Sequence, residues 1–143
     1  MTIRHLIDGR KAAILTCEAA TTVREAIALL AERRIGALPV MAEGEVAGIL
    51  SERDVIYRLQ EFGPSVLDHP VHEVMTAPAV TVAPETPVLT ALSLMTRRRI
   101  RHLPVIDGDG RMIGFVSIGD LVKYRIDRIE SEAEALRSYI QSA

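Results

Sequence analysis

Arg99-Ile100-Arg101-His102-Leu103-Pro104-Val105-Ile106-Asp107 has a near copy earlier in the chain, Arg34-Ile35-Gly36-Ala37-Leu38-Pro39-Val40-Met41. Each stretch follows apolar residues at helical spacing and precedes a Gly-apolar-apolar-Ser-x-x-Asp segment. At an offset of 65, residues 23–40 align with 88–105, and nine of the eighteen positions are identical. One extra residue in the second turn moves the offset to 66, which aligns Gly48, Ser51 and Asp54 with Gly114, Ser117 and Asp120. Self-similarity of this kind marks one unit written twice. A unit of about 60 residues buries too little surface to be comfortable alone, so the two copies are expected to complete one core.

Working outward, Ile3, Leu6 and Ile7 suggest a short lead-in helix over residues 2–10 that stops at Gly9. Ala13-Ile14-Leu15-Thr16 reads as a brief strand. Thr22-Val23-Arg24-Glu25 has the form of a capping box, and Val23, Ala26, Ile27 and Leu30 fall on one helix face. Gly36 is the expected helix stop. Leu38–Met41 and Val46–Leu50 flank Glu43-Gly44 as strand, turn and strand, after which Ser51 opens a helix carrying Val55, Ile56 and Leu59. Gly63, Pro64 and Pro70 mark residues 61–70 as a linker, and His72–Met75 reads as one helical turn.

The second copy repeats the order. Ala79–Val82 is its strand, and Thr86 is its expected N-cap with Pro87 at the first helical position. The helix face Val88, Ala91, Leu92 and Met95 follows, then a hairpin about Asp107–Gly110, then a helix opened by Ser117. The expected division is repeat one at 10–60, the linker, repeat two at 71–126, and a helical extension at 127–143. Val122, Ile126, Ile129, Ala133, Leu136 and Ile140 are spaced 4-3-4-3-4 with charges between them, a heptad-like seam. That stripe requires cover, either from its own domain or from a second copy in a homodimer.

Composition sets broad limits. Seventeen basic against nineteen acidic residues give a formal charge of −2, which does not suggest a general nucleic-acid binder. A nucleic-acid reading would rest on Arg33, Arg34, Arg97, Arg98, Arg99 and Arg101 and would predict steep salt dependence. No apolar run approaches the roughly 20 residues of a membrane span. One cysteine, Cys17, forms no intrachain disulfide, which suits a reducing cytoplasm. No catalytic set stands out, so the chain is not expected to be an enzyme. His69-x-x-His72 is interrupted by Pro70 and lacks a third ligand, so no metal is expected.

Ser51-Glu52-Arg53-Asp54 and Ser117-Ile118-Gly119-Asp120 admit two readings. In one, Ser is an N-cap and Asp a reduced capping box. In the other, a helix N-terminus receives an anion while the Asp accepts hydrogen bonds from a vicinal diol. Arg101 and His102, at a strand entrance, could clamp a phosphate, and Arg does so bidentately.

Two copies of helix-x-x-Leu-Pro-Val-turn-Gly-apolar-apolar-Ser-x-x-Asp resemble the cystathionine β-synthase (CBS) domain pair, or Bateman module, over roughly residues 10–126. The resemblance implies an α/β (α+β) fold of two β-α-β-β-α units, with two sheets packed by pseudo-twofold symmetry and a long C-terminal helix added here. It implies a regulatory module that binds an adenosine derivative such as AMP, ADP, ATP, NAD(H) or S-adenosylmethionine between the repeats. The alternative is a protein-interaction module with degenerate clefts. In the first implied cleft Asp54, with Ser51, takes the ribose. Pro78, Ala79 and Val80 sandwich the adenine with Ile49, and Arg53, Arg101 and His102 meet phosphate. In the second, Ser117 and Asp120 work with Ala13, Ile14 and Leu15. There Gly36 and Ala37 stand where the first cleft has Arg101 and His102, implying an empty site, a less charged ligand, or room for a dinucleotide.

Overall fold

The computed structural model describes residues 1–10 and 13–142; residues 11, 12 and 143, at the edges of the first repeat and the extension, lie outside it. The first half contains β1 (Cys17–Glu18), α2 (Val23–Arg33), β2 (Ala37–Ala42), β3 (Glu45–Ser51) and α3 (Glu52–Phe62), preceded by α1 (Ile3–Ile7). Two 3-10 turns, Pro64–Asp68 and Val71–Glu73, lead to α4 (Val88–Arg98), β4 (His102–Ile106), β5 (Met112–Ser117) and α5 (Ile118–Ser142). β2 and β3 are antiparallel, with β1 parallel to β2 at the edge; β4 and β5 form a second antiparallel pair.

The strand expected at Ala13–Thr16 does not form; ladder pairing begins only where Cys17 meets Val40. Likewise, Ala79–Val82 contributes a single parallel bridge, Val82 to Val105. These two contacts are the same one at offset 65, so the duplication reaches into the hydrogen bonding. The hairpin turn between β2 and β3 places Glu43 and Gly44 at φ 51° and 81°, the left-handed pair that a tight hairpin takes.

The first central helix does not stop at Gly36 as expected. Arg34 and Arg99 themselves adopt the left-handed conformation, at φ 52° and 55°. The next amides, of Ile35 and Ile100, then bond back to the carbonyls of Leu30 and Met95. The chain has already turned before it reaches Gly36. At the start of α2, the Glu25 amide donates to Thr22 Oγ1 at 3.2 Å. The second copy has no such side chain: Pro87, not Thr86, is the N-cap of α4, and the Val88 amide donates to the Met1 carbonyl.

That last bond belongs to a larger pattern. The Val23 amide donates to His69, and the Val71 amide to Thr21; in the other half the Val88 amide donates to Met1, and the Ile3 amide to Thr86. Residues 69–75 therefore do for the first half what residues 1–7 do for the second. Val66, Val71 and Val74 are buried in the first apolar cluster with Val23, Leu38 and Leu50. Ile3 and Ile7 are buried in the second with Val88, Leu103 and Leu121. The apolar residues thus form two clusters rather than the single core expected, and the linker is a packed part of the first.

Gly48 and Gly114 show why the docking segments fit. A Cβ on Gly48 would lie 2.7 Å from the Thr76 carbonyl oxygen and 2.8 Å from Met75 Sδ; on Gly114 it would lie 2.8 Å from Ile7 Cγ2. The obstacle at Gly48 is partly backbone, while that at Gly114 is the Cγ2 methyls of Ile7 and Val105, buried and branched at Cβ, which have little room to give. Gly48→Ala is expected to cost about 3 kcal/mol, and Gly114→Ala about 2 kcal/mol, in urea unfolding. Equal costs would show that the two docking segments do not differ in the way their contacts indicate.

Candidate functional site

The junction from β3 to α3 builds the first cleft. Ser51 ends the strand and caps the helix: its amide and its hydroxyl both donate to Asp54 Oδ2 at 2.9 Å, and the Asp54 amide donates to Ser51 Oγ at 3.2 Å. Thr76 Oγ1 donates to Asp54 Oδ1 at 2.9 Å. Thr76 is itself fixed by two backbone hydrogen bonds with Ile49, at 3.0 and 2.9 Å. The carboxylate is locked before any ligand arrives.

Around it lies a cavity of about 390 Å³, within the size range of small-molecule sites. Ile49, Ser51, Arg53, Asp54, Pro78, Ala79, Val80, Arg101 and His102 all line it, so the structure brings together every residue of the first implied cleft. Sequence reasoning missed Glu52, Tyr57, Thr76, Arg99 and Ile100 on the same walls. Arg99 arrives there through its left-handed cap, and its carbonyl accepts from Arg53 Nη1 at 3.4 Å. One wall is apolar, and two acidic residues, Glu52 and Asp54, share the remaining lining with Arg53, Arg99 and Arg101. Such a site can hold a flat apolar ring, a hydroxyl donor and an anion at once.

A second cavity, of about 520 Å³, is lined by Ala13, Ile14, Leu15, Ala37, Ser117 and Asp120, as the second implied cleft requires. Gly36 is the exception, because it lines the first cavity instead. Its carbonyl accepts from the Glu52 amide at the start of α3, which holds it on that side. The second cleft is also not short of charge, contrary to expectation. Arg33 lines it, and Arg10 Nη2 lies 2.8 Å from Asp120 Oδ2 while Nη1 donates to the Phe115 carbonyl at 3.1 Å. The Ser117 amide donates to the same Asp120 oxygen at 2.8 Å. Burial alone would push the Asp120 pKa up, but the Ser117 amide and the Arg10 guanidinium together hold it below the usual carboxylate range. Where Asp54 meets a neutral hydroxyl, Asp120 meets a cation from its own chain.

His102 lines both cavities. Its ring stacks on Phe115 with centroids 5.4 Å apart and planes 16° from parallel. Burial, helped by nearby Arg101, lowers its pKa from the ordinary value despite the opposing pull of Asp120 and Glu52. The imidazole between the clefts is therefore neutral at pH 7. Cys17 is buried in the first apolar cluster, where burial and Glu18 push its thiol up to about 11, so it is no nucleophile at neutral pH. His69 Nδ1 lies 2.8 Å from Glu73, and among the described residues no three His, Cys, Asp or Glu side chains converge as a metal site would need. Nor, among them, is any helix long and apolar enough to cross a membrane.

The family model described as "CBS domain" matches residues 10–61 and again 71–127. The mitochondrial CBS domain-containing protein CBSX3 of Arabidopsis thaliana is 42% identical over 132 residues, covering 89% of this chain and 64% of that protein; the chain thus spans under two thirds of this relative. YhcV, a CBS domain-containing protein of Bacillus subtilis, is 32% identical over 129 residues, covering 90% of each. Among solved structures, CBSX2 in complex with AMP superposes with a TM-score of 0.69 at 27% identity, over 80% of this chain and 88% of that one.

The Arg10–Asp120 pair is over a third exposed on both sides, so its contribution is discounted for screening. Arg10→Ala is expected to cost about 0.5 kcal/mol at pH 7. Because the Asp120 pKa is lowered on folding, the stability it carries is present above the unfolded pKa and is lost as pH falls. The gap between wild type and variant should therefore close as acid titrates the carboxylate, measured by urea unfolding at a series of pH values. A gap that persists in acid would assign the role of Arg10 to packing.

Proposed function

The chain belongs to the CBS-domain family, and on that premise we propose that it is a regulatory module that senses an adenosine nucleotide in its first cleft, without catalysis of its own. The observation that carries this reading is the meeting of Asp54, an apolar wall and three arginines around one cavity. AMP, ADP, ATP and NAD(H) all offer what such a cavity selects. The adenine lies between Ile49 and the Pro78–Val80 segment, the ribose hydroxyls reach Asp54, and phosphate meets Arg53 and Arg101. The AMP complex of CBSX2 supports this assignment by kinship.

The acceptor inventory of Asp54 sharpens it. A carboxylate offers about four lone-pair sites. Ser51 fills two through its amide and hydroxyl, and Thr76 fills a third. One site remains for a ribose hydroxyl, and a second sugar hydrogen bond requires the Thr76 hydroxyl to rotate away. In the second cleft, Arg10 already occupies Asp120, so a ligand there must displace a guanidinium or present an anion to it. The first cleft is accordingly the primary site. The module acts in the cytoplasm and passes on its occupancy through pairing with a second copy of itself.

Calorimetry with AMP, ATP and NADH tests the reading. Asp54→Ala removes hydrogen bonds to a charged group, about 1.5–3 kcal/mol, so affinity should fall roughly 10- to 100-fold. Arg101→Ala should weaken AMP and leave adenosine unchanged. An unaltered affinity in Asp54→Ala would remove that residue from the site, and the absence of binding by any adenosine compound would favour the protein-interaction alternative.

The neutral state of His102 supplies a pH signature. A bound dianionic phosphate favours the imidazolium, so binding takes up a proton. AMP affinity, relative to that of adenosine, should rise as pH falls from about 8 to about 6.5, before the phosphate itself titrates. His102→Gln should flatten that slope; a slope that survives in the variant would place the phosphate elsewhere.

A further inference from the structure

The last helix has two apolar faces, of which its own domain covers one. Leu121 is fully buried in the second apolar cluster, and Tyr124 packs against the same cluster. In heptad lettering with Ile126, Ala133 and Ile140 at a, and Val122, Ile129 and Leu136 at d, these two residues occupy c and f. Positions c and f lie opposite the a/d seam. The seam is accordingly turned away from the domain: Val122, Ile126, Ile129, Leu136 and Ile140 are 42–64% exposed, against 0% for Leu121. The seam does not fold back on its own core.

The flanking charges say what covers it. Position g holds Arg125, Glu132 and Tyr139, and position e holds Lys123, Glu130 and Arg137. In a parallel, in-register pair, each g residue faces the e residue five places further along the other strand. Arg125 then meets Glu130 of the second copy, and Glu132 meets Arg137 of the second copy. Both pairs are of opposite sign, and the twofold doubles each of them. Glu132 has only a long 3.7 Å contact with Arg128 within its own helix, so little is lost when it turns to a new partner.

We propose that α5 pairs with α5 of a second copy as a parallel, in-register coiled coil through Val122, Ile126, Ile129, Ala133, Leu136 and Ile140. This deepens the dimeric read-out given above and is independent of which nucleotide the cleft holds. A parallel pair brings two nucleotide-binding domains side by side at the same end of one rod.

Sedimentation and cysteine cross-linking of the full chain test it. Cys17 is buried and gives no background. Ala133→Cys, at a, should form a disulfide-linked dimer on mild oxidation, while Ser131→Cys, at f, should not. Ile129→Asp should sediment as a monomer that still unfolds cooperatively, since Ile129 belongs to neither apolar cluster. Arg125→Glu should weaken the dimer by up to roughly 10-fold, and adding Glu130→Arg should restore it. A wild-type dimer in which Ser131→Cys links as readily as Ala133→Cys, or in which the second reversal fails to rescue the first, overturns the parallel seam while leaving the dimer. A monomer at every concentration overturns both, and the calorimetry of the first cleft decides the nucleotide site separately.

Discussion

Everything in this molecule hangs on how two short segments cover two half-cores. A β-α-β-β-α unit of this size leaves one side of its apolar cluster open. The first half closes it with residues 69–75, and the second with residues 1–7, through matching amide-to-carbonyl bonds at the first turns of α2 and α4. Each covering segment presses on a glycine, Gly48 or Gly114, that admits no side chain. Because the N-terminus serves the second repeat, the chain closes on itself, and neither repeat is complete from its own contiguous residues.

That closure also makes the clefts unequal. The segment leaving Met75 presents Thr76 to Asp54, a neutral hydroxyl that holds the carboxylate. The segment leaving Ile7 presents Arg10 to Asp120. The Ser-x-x-Asp motifs are alike to within 0.1 Å in their amide-to-carboxylate bonds, 2.9 against 2.8 Å. What differs is the residue each docking strand delivers, so the asymmetry comes from the frame around the motif. His102 lines both cavities, so a charge entering either one is felt at a group that the other shares.

Local features were legible in the sequence. The hairpins, the Ser51 and Ser117 caps and the two helix faces follow from spacing and turn chemistry within a few residues, and the repeat marked them twice. The CBS resemblance placed all nine first-cleft residues around one cavity. Contacts between distant segments left no such trace: Arg10 bonds to Phe115 across 105 residues, and nothing near Arg10 announces it. Gly36 misled twice, as a glycine expected to end the helix and as the counterpart of Arg101 expected to line the second cleft. Arg34 makes the turn, and the backbone bond from Glu52 turns Gly36 to the other side. Thr86 lost its cap to Pro87 because the Met1 carbonyl, remote in sequence, already serves the helix end.

The helix α5 begins at a cleft and ends far from one. Its first turn carries Asp120, whose carboxylate bonds to the Ser117 amide, and the same unbroken helix runs 25 residues to Ser142. At 1.5 Å per residue that is a rod of roughly 37 Å. With its base set in the site, the helix has the geometry of a lever arm: by the rise per residue alone, a tilt of about 5° at Asp120 would carry the far end through about 3 Å. Displacements too small to register inside the cavity become, at the tip, as large as the gap between neighbouring side chains.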